Sequence, residues 1–237
     1  DMVTAWTALH VHPEPRRVLD LGCGLGSVLL HLAWSVPTAR LMGVEAQEVS
    51  FGLLERNVAH NDLGGRIVVH HGDFRDPEVR RRIGTGFDLV TGTPPYFPIG
   101  TADDAEDEQR MRARIETRGG VEAYLETAGV LMAPDGDMVM CGDSDAESRV
   151  ERAASGCGLR IAGRVVVVPR EGRPSLFSVW WLHRTGSVRR DRLERTLVLR
   201  DAAGERTADA RMLRAFSGFP ERTPGPLPGP APDQAER

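Results

Sequence analysis

The sequence has no lysine; all 30 of its Lys and Arg positions are arginine. Without a side-chain amine there is no Schiff-base chemistry and no P-loop lysine to hold a nucleotide phosphate. The cations that remain stay charged and grip phosphates with two N–H groups at once. Cysteine is scarce as well: Cys23, Cys141 and Cys157 are far apart. An odd count without C-x-x-C spacing argues against a disulfide framework or a cysteine-rich zinc site, and it suits a reducing, cytoplasmic compartment. The seven histidines are scattered, and none stands at metal-ligand spacing, so no metal is expected. No apolar run reaches the length of a membrane span and no signal-peptide pattern is present, so no membrane association is expected. A formal net charge of -4 disfavours coating of nucleic acid by bulk charge and leaves room for a local basic groove.

What is present is enough for one α/β domain with extensions: 237 residues, 41% of them hydrophobic. Residues 2–9 read as a short helix, broken by Pro13 and Pro15. Short apolar runs at 17–21, 40–45, 66–70, 87–91 and 138–141 read as buried strands. Between them, 28–34, 47–59 and 121–131 carry helical periodicity. That alternation implies a parallel sheet covered by helices on both faces. The rhythm then breaks. The runs 160–168 and 176–183 are joined by a loop too short for a parallel crossover, which makes them an antiparallel hairpin. The expectation is a mostly parallel, seven-stranded α/β sheet ending in that hairpin. Trp180 and Trp181 alternate along the last strand, so one is expected in the core and the other at the surface. A further strand at 196–200 and a helix at 208–216 form an extension. We therefore expect one domain over 1–185, a strand–helix extension over 186–219, and a disordered proline-rich tail over 220–237.

The chemistry concentrates at strand ends. After the first strand stands Asp20-Leu21-Gly22-Cys23-Gly24-Leu25-Gly26. Glycines there let a ligand approach the backbone, and the following helix offers free N–H groups. The dinucleotide pattern G-x-G-x-x-G would put its last glycine at position 27, which is Ser27. An acid before the first glycine suits the amino-acid part of S-adenosylmethionine, whose ammonium needs an acceptor. Gly22, Gly24 and Gly26 would then cradle that cofactor. Glu45 closes the second strand, where a carboxylate can take both ribose hydroxyls. Asp73 and Phe74 follow the third, where an acid can accept from the adenine amino group and an aromatic can pack on the ring. Taken singly, Glu45 or Asp73 has a plainer alternative as a helix cap or solvated loop residue; together with Asp20, at the ends of three successive strands, they line one crevice.

After the fourth strand comes Thr93-Pro94-Pro95-Tyr96-Phe97, a stiff loop at the same edge. It resembles the motif of the [N/D/S]-P-P-[Y/F/W] methyltransferases, which modify exocyclic amines or amide nitrogens. The mostly parallel sheet with one hairpin likewise matches their Rossmann-like class I layout. The resemblance implies that Thr93 and the carbonyl of Pro94 accept the amine hydrogens, that Pro95 stiffens the loop, and that Tyr96 stacks on the planar substrate. It also places Thr93 beside the cofactor. With Ala113-Arg114-Ile115-Glu116 and the 196–219 segment, the sequence is similar over residues 1–219 to bacterial methyltransferases of adenine N6 in the anticodon loop of valine tRNA. That implies a tRNA substrate contacted by Tyr96, Phe97, Arg114 and Glu116, with S-adenosyl-L-homocysteine as the spent cofactor. Thr93 departs from the family's Asn, Asp or Ser: it is shorter than Asn and carries a methyl group. That departure and the acidic net charge favour a second reading, a methyltransferase for a small molecule or protein amide; a third, a non-catalytic cofactor-binding or partner subunit, is opposed by the presence of Asp20, Glu45, Asp73 and Tyr96. Arginine clusters at 80–82, 110–118 and 189–195 suit either solvated faces or phosphate contacts.

Overall fold

A computed structural model describes residues 1–95, 120–187 and 193–219. Its elements run α1 (Met2–Val11), β1 (Arg17–Leu21), α2 (Ser27–Ser35), β2 (Arg40–Glu45), α3 (Glu48–His60), β3 (Ile67–His71), α4 (Pro77–Ile83) and β4 (Phe87–Gly92). They continue with α5 (Val121–Leu131), β5 (Met132–Gly142), a 3-10 turn (Ser144–Ala146), α6 (Glu147–Gly156), β6 (Leu159–Val168), β7 (Phe177–Arg184), β8 (Leu193–Val198) and α7 (Ala208–Phe216). No described helix is long and apolar enough to cross a membrane.

The strands form one sheet in the order β3-β2-β1-β4-β5-β7-β6-β8. The first five are parallel, and β7 lies antiparallel between β5 and β6, as the short hairpin loop requires. The sheet has eight strands where the sequence suggested seven. The extension strand begins three residues earlier than expected and joins the same sheet, pairing parallel with β6 from Gly163↔Leu193 to Val168↔Val198. What draws it in is its apolar side: Leu197 is fully buried, with Leu193 and Leu199 packed on the core.

The sheet separates two apolar clusters. One is covered by α1, α2, α3 and α7, the other by α4, α5 and α6. Trp180 and Trp181 point to opposite faces, and each is buried in one of these clusters. The expected surface position for one of them is corrected by α1, which roofs the face the sequence had left open. Trp181 Nε1 donates to Asp137 Oδ1 at 2.8 Å, and His12 Nδ1 lies 2.8 Å from Asp137 Oδ2, so one buried carboxylate ties α1 to β5 and β7. Two helices escaped the sequence reading. In α4, Asp76 accepts from the Glu78 N–H and Pro77 fills the first helical position, a cap that starts a seven-residue turn dominated by arginine. In α6 only Val150 and Ala154 are buried, too few to mark a period.

Candidate active site at the carboxyl edge of the sheet

β1 sits between β2 and β4, and the chain leaves it in opposite directions on its two sides. In such sheets the crevice beyond the carboxyl ends at this switch point is where ligands bind. Leu21 pairs with Val44 on one side and Gly92 on the other. The glycine loop and the Thr93-Pro94-Pro95 loop therefore leave the sheet side by side. Within the glycine loop Gly22, Gly24 and Gly26 have φ of 60°, 54° and 87°, the left-handed region that side chains resist. Gly26 is also the N-cap of α2. The loop is held down where the Cys23 N–H donates to the Val44 carbonyl at 3.0 Å.

The three acids anticipated at strand ends occupy different surroundings. Asp20 is 1% exposed. Thr91 donates to its Oδ1 at 2.7 Å, while Oδ2 has no partner. Burial pushes the Asp20 carboxyl up to about 7, against the pull of the Thr91 hydrogen bond. Glu45 is buried and clamped: the Gly24 N–H donates to Oε2 at 2.8 Å and the Gln47 N–H to Oε1 at 2.6 Å. Each oxygen keeps lone-pair capacity for a further donor. This one side chain thus joins the glycine loop to the start of α3. Asp73 is half-exposed and holds Arg75, whose Nη2 donates to Oδ2 at 2.6 Å and Nε to Oδ1 at 3.0 Å. Phe74 is buried, with its ring edge-on to that of Tyr124 at 4.7 Å.

In the second loop Pro94 is buried, and Thr93 and Pro95 are half-buried. Tyr96, Phe97, Arg114 and Glu116 lie outside the described residues, as do the 110–118 cluster, Arg189, Arg190 and Arg192, and the tail from 220. Two residues that sequence reasoning passed over belong to the edge. Thr91, fully buried, looked like any strand residue; only its pairing with Asp20 across β1 and β4 gives it a role. Tyr124 sits in the first turn of α5, 29 positions after Pro95, and no local pattern tied it to the glycine loop. Its ring lies against Gly92 and its hydroxyl against Gly22.

The fold is that of class I methyltransferases, and by its domain match and relatives the chain is an S-adenosylmethionine-dependent methyltransferase, with S-adenosylmethionine the methyl donor and S-adenosylhomocysteine the product. Residues 18–108 match a methyltransferase domain family. Among proteins of known activity, the chain is similar to the tRNA1(Val) (adenine(37)-N6)-methyltransferase of Porphyromonas gingivalis. The two are 29% identical over 194 residues, which cover 80% of this chain and 74% of the relative. It is also similar to the release factor glutamine methyltransferase of Caulobacter vibrioides, 35% identical over 118 residues, or 47% of this chain and 38% of that one. Among solved structures, a predicted O-methyltransferase from Agrobacterium tumefaciens superposes with a TM-score of 0.65. It is 19% identical, and the match covers 87% of this chain and 92% of the other.

Proposed function

We propose that this protein methylates an exocyclic amine, adenine N6 in RNA, with tRNA as the RNA. The observation that carries the reading is the Leu21↔Gly92 pairing. It sets the loop for the methyl donor beside the loop that receives the amine, with no strand between them.

The residues present suit the cofactor. An orphaned carboxylate oxygen on Asp20 is an acceptor awaiting a cation or N–H donor, which the amino-acid ammonium supplies. Gly22, Gly24 and Gly26 leave the backbone open to the same part of the molecule. Glu45, preset by two backbone N–H groups, takes the ribose hydroxyls. Asp73 accepts from the adenine amino group, and Phe74 packs at its ring. Bound there, the cofactor supplies an electrophilic methyl on a sulfonium. Thr93 Oγ1 and the Pro94 carbonyl accept the two amine hydrogens and orient the nitrogen lone pair, and Pro95 holds the loop rigid. Tyr96 stacks on the base, and Phe97, Arg114 and Glu116 contact the substrate. In this reading residues 1–185 form the methyl-transfer domain, 186–219 its extension and 220–237 a tail, and the protein works in the cytoplasm.

The similarity to the valine-tRNA methyltransferases, which spans four-fifths of this chain, supports adenine over other amines. A second reading, a protein amide as substrate, is favoured by Thr93 and by the release-factor relative. To separate them, bulk tRNA, a protein extract and a metabolite extract are each incubated with enzyme and labelled cofactor. Label in tRNA, released by digestion as N6-methyladenosine, is the expected result. Label only in the protein or metabolite fraction overturns the RNA assignment.

A further inference from the structure

Gly22 follows β1 and Gly92 ends the neighbouring β4, and both are constrained by the same side chain. A Cβ added at Gly22 would stand 2.3 Å from Tyr124 Oη, and one added at Gly92 would stand 2.6 Å from Tyr124 Cδ1. Tyr124 therefore spans the mouth of the switch point. Its ring lies on the residue just before Thr93, and its hydroxyl covers the first glycine of the cofactor loop. Phe74 braces the ring from the side. A phenylalanine here would make the contacts with Gly92 and Phe74 equally well. At Gly22 the hydroxyl makes the closest approach, 2.3 Å from that Cβ position against 3.3 Å for Cζ, and it is the one polar atom Tyr124 brings there.

We propose that Tyr124 is a positioning residue whose hydroxyl donates a hydrogen bond to the carboxylate of the cofactor's amino-acid end, fixing the methyl donor relative to the Thr93-Pro94-Pro95 loop. The inference rests on the cofactor reading above. That end of the cofactor carries one positive and one negative group. Asp20, with its unpartnered oxygen, suits the positive one. The negative one needs donors, and the chain has no lysine. A neutral hydroxyl is a donor that adds no charge beside Asp20 and Glu45. Burial, and the nearness of Glu45 and Asp20, keep its proton in place at all ordinary pH. Ring and hydroxyl together link both loops, so the same residue sets how far the methyl donor stands from the acceptor.

The test compares two ligands by calorimetry on the full chain. S-adenosylhomocysteine has the amino-acid end; 5′-methylthioadenosine lacks it. Tyr124→Phe is expected to weaken the first about tenfold, the scale of one hydrogen bond to a charged group, and to leave the second unchanged. A ratio of the two affinities equal to that of the parent overturns the proposal, as does tighter binding of S-adenosylhomocysteine, which would mean that the hydroxyl obstructs the seat. Failure of the parent to bind either ligand would instead sink the cofactor reading. The chain has two tyrosines, so fluorotyrosine labelling gives a second readout that does not depend on the variant's stability. The resonance assigned to Tyr124 in a Tyr96→Phe background should shift with S-adenosylhomocysteine and not with 5′-methylthioadenosine. Equal shifts with both count against the proposal.

Discussion

A carboxyl group cut off from water with one hydrogen bond to its name keeps its proton to near neutrality, and Asp20 does so to about pH 7 instead of 3.8. Its folded value is raised, so the native state binds the proton more tightly than the unfolded chain does. Without cofactor, stability from this group is full below about pH 4, falls as pH climbs through the window to 7, and is level above it. A bound ammonium reverses the preference. The affinity for S-adenosylhomocysteine should therefore rise by up to about tenfold per pH unit from pH 5.5 to 7 and then flatten. Calorimetry across that range checks it, and Asp20→Asn should give a weak, flat profile. In the proposed reading Thr93 works in a different way, as an acceptor for the amine. Thr93→Val keeps the shape and removes one acceptor. On the true substrate it should lower kcat on the order of ten- to a thousandfold, with little change in cofactor affinity. Full activity in that variant would remove Thr93 from the amine's partners. The places of Asp20, Glu45 and the three glycines at the carboxyl edge could be read from sequence, because each stands next to a strand end in a short pattern. Thr91 and Tyr124 could not. Their parts depend on which strands are neighbours and on where α5 settles, and composition records neither.

At the scale of elements, the strands and the longer helices were legible because their apolar residues recur at a regular period. The misses have physical causes. β5 starts at Met132, six residues before the apolar run at 138–141, because Met132 already pairs with Phe87; Ala133-Pro134-Asp135-Gly136 then bulges out before pairing resumes at Leu89↔Asp137. The helices α4 and α6 have little apolar surface to declare themselves. The attachment of α1 was equally hidden, since it depends on Asp137, an acid inside a strand. That carboxylate receives Trp181 and faces His12 while fully buried. Asp137→Ala leaves those donors without it, so stability to urea should fall by about 1–3 kcal/mol. His12→Ala removes one exposed-side partner only and should cost less. Equal midpoints for the two variants would mean that the helix is held mainly by its apolar face.

Considered as a whole, the molecule keeps its candidate site and its extension strand in one sheet. β8 supplies Leu197 and α7 supplies Leu213 to the same cluster that holds α1 and α2. A chain ending at Gly186 should therefore melt many degrees lower than one ending at Phe219, as followed by circular dichroism. Near-identical melting curves would show that the extension is an accessory. The sheet order has a further consequence for biosynthesis. β5 takes its second partner from β7, which lies beyond β6 in the chain, so the hairpin has to enter as a pair. As the chain leaves the ribosome, the apolar run Met138-Val139-Met140-Cys141 waits with one flank unpaired until Arg184 has emerged. During that interval the nascent protein presents an open, sticky strand. Slow translation or stalling between 142 and 184 would lengthen the exposure, and yield in the cell would then depend on chaperone capacity more than on the stability of the finished fold.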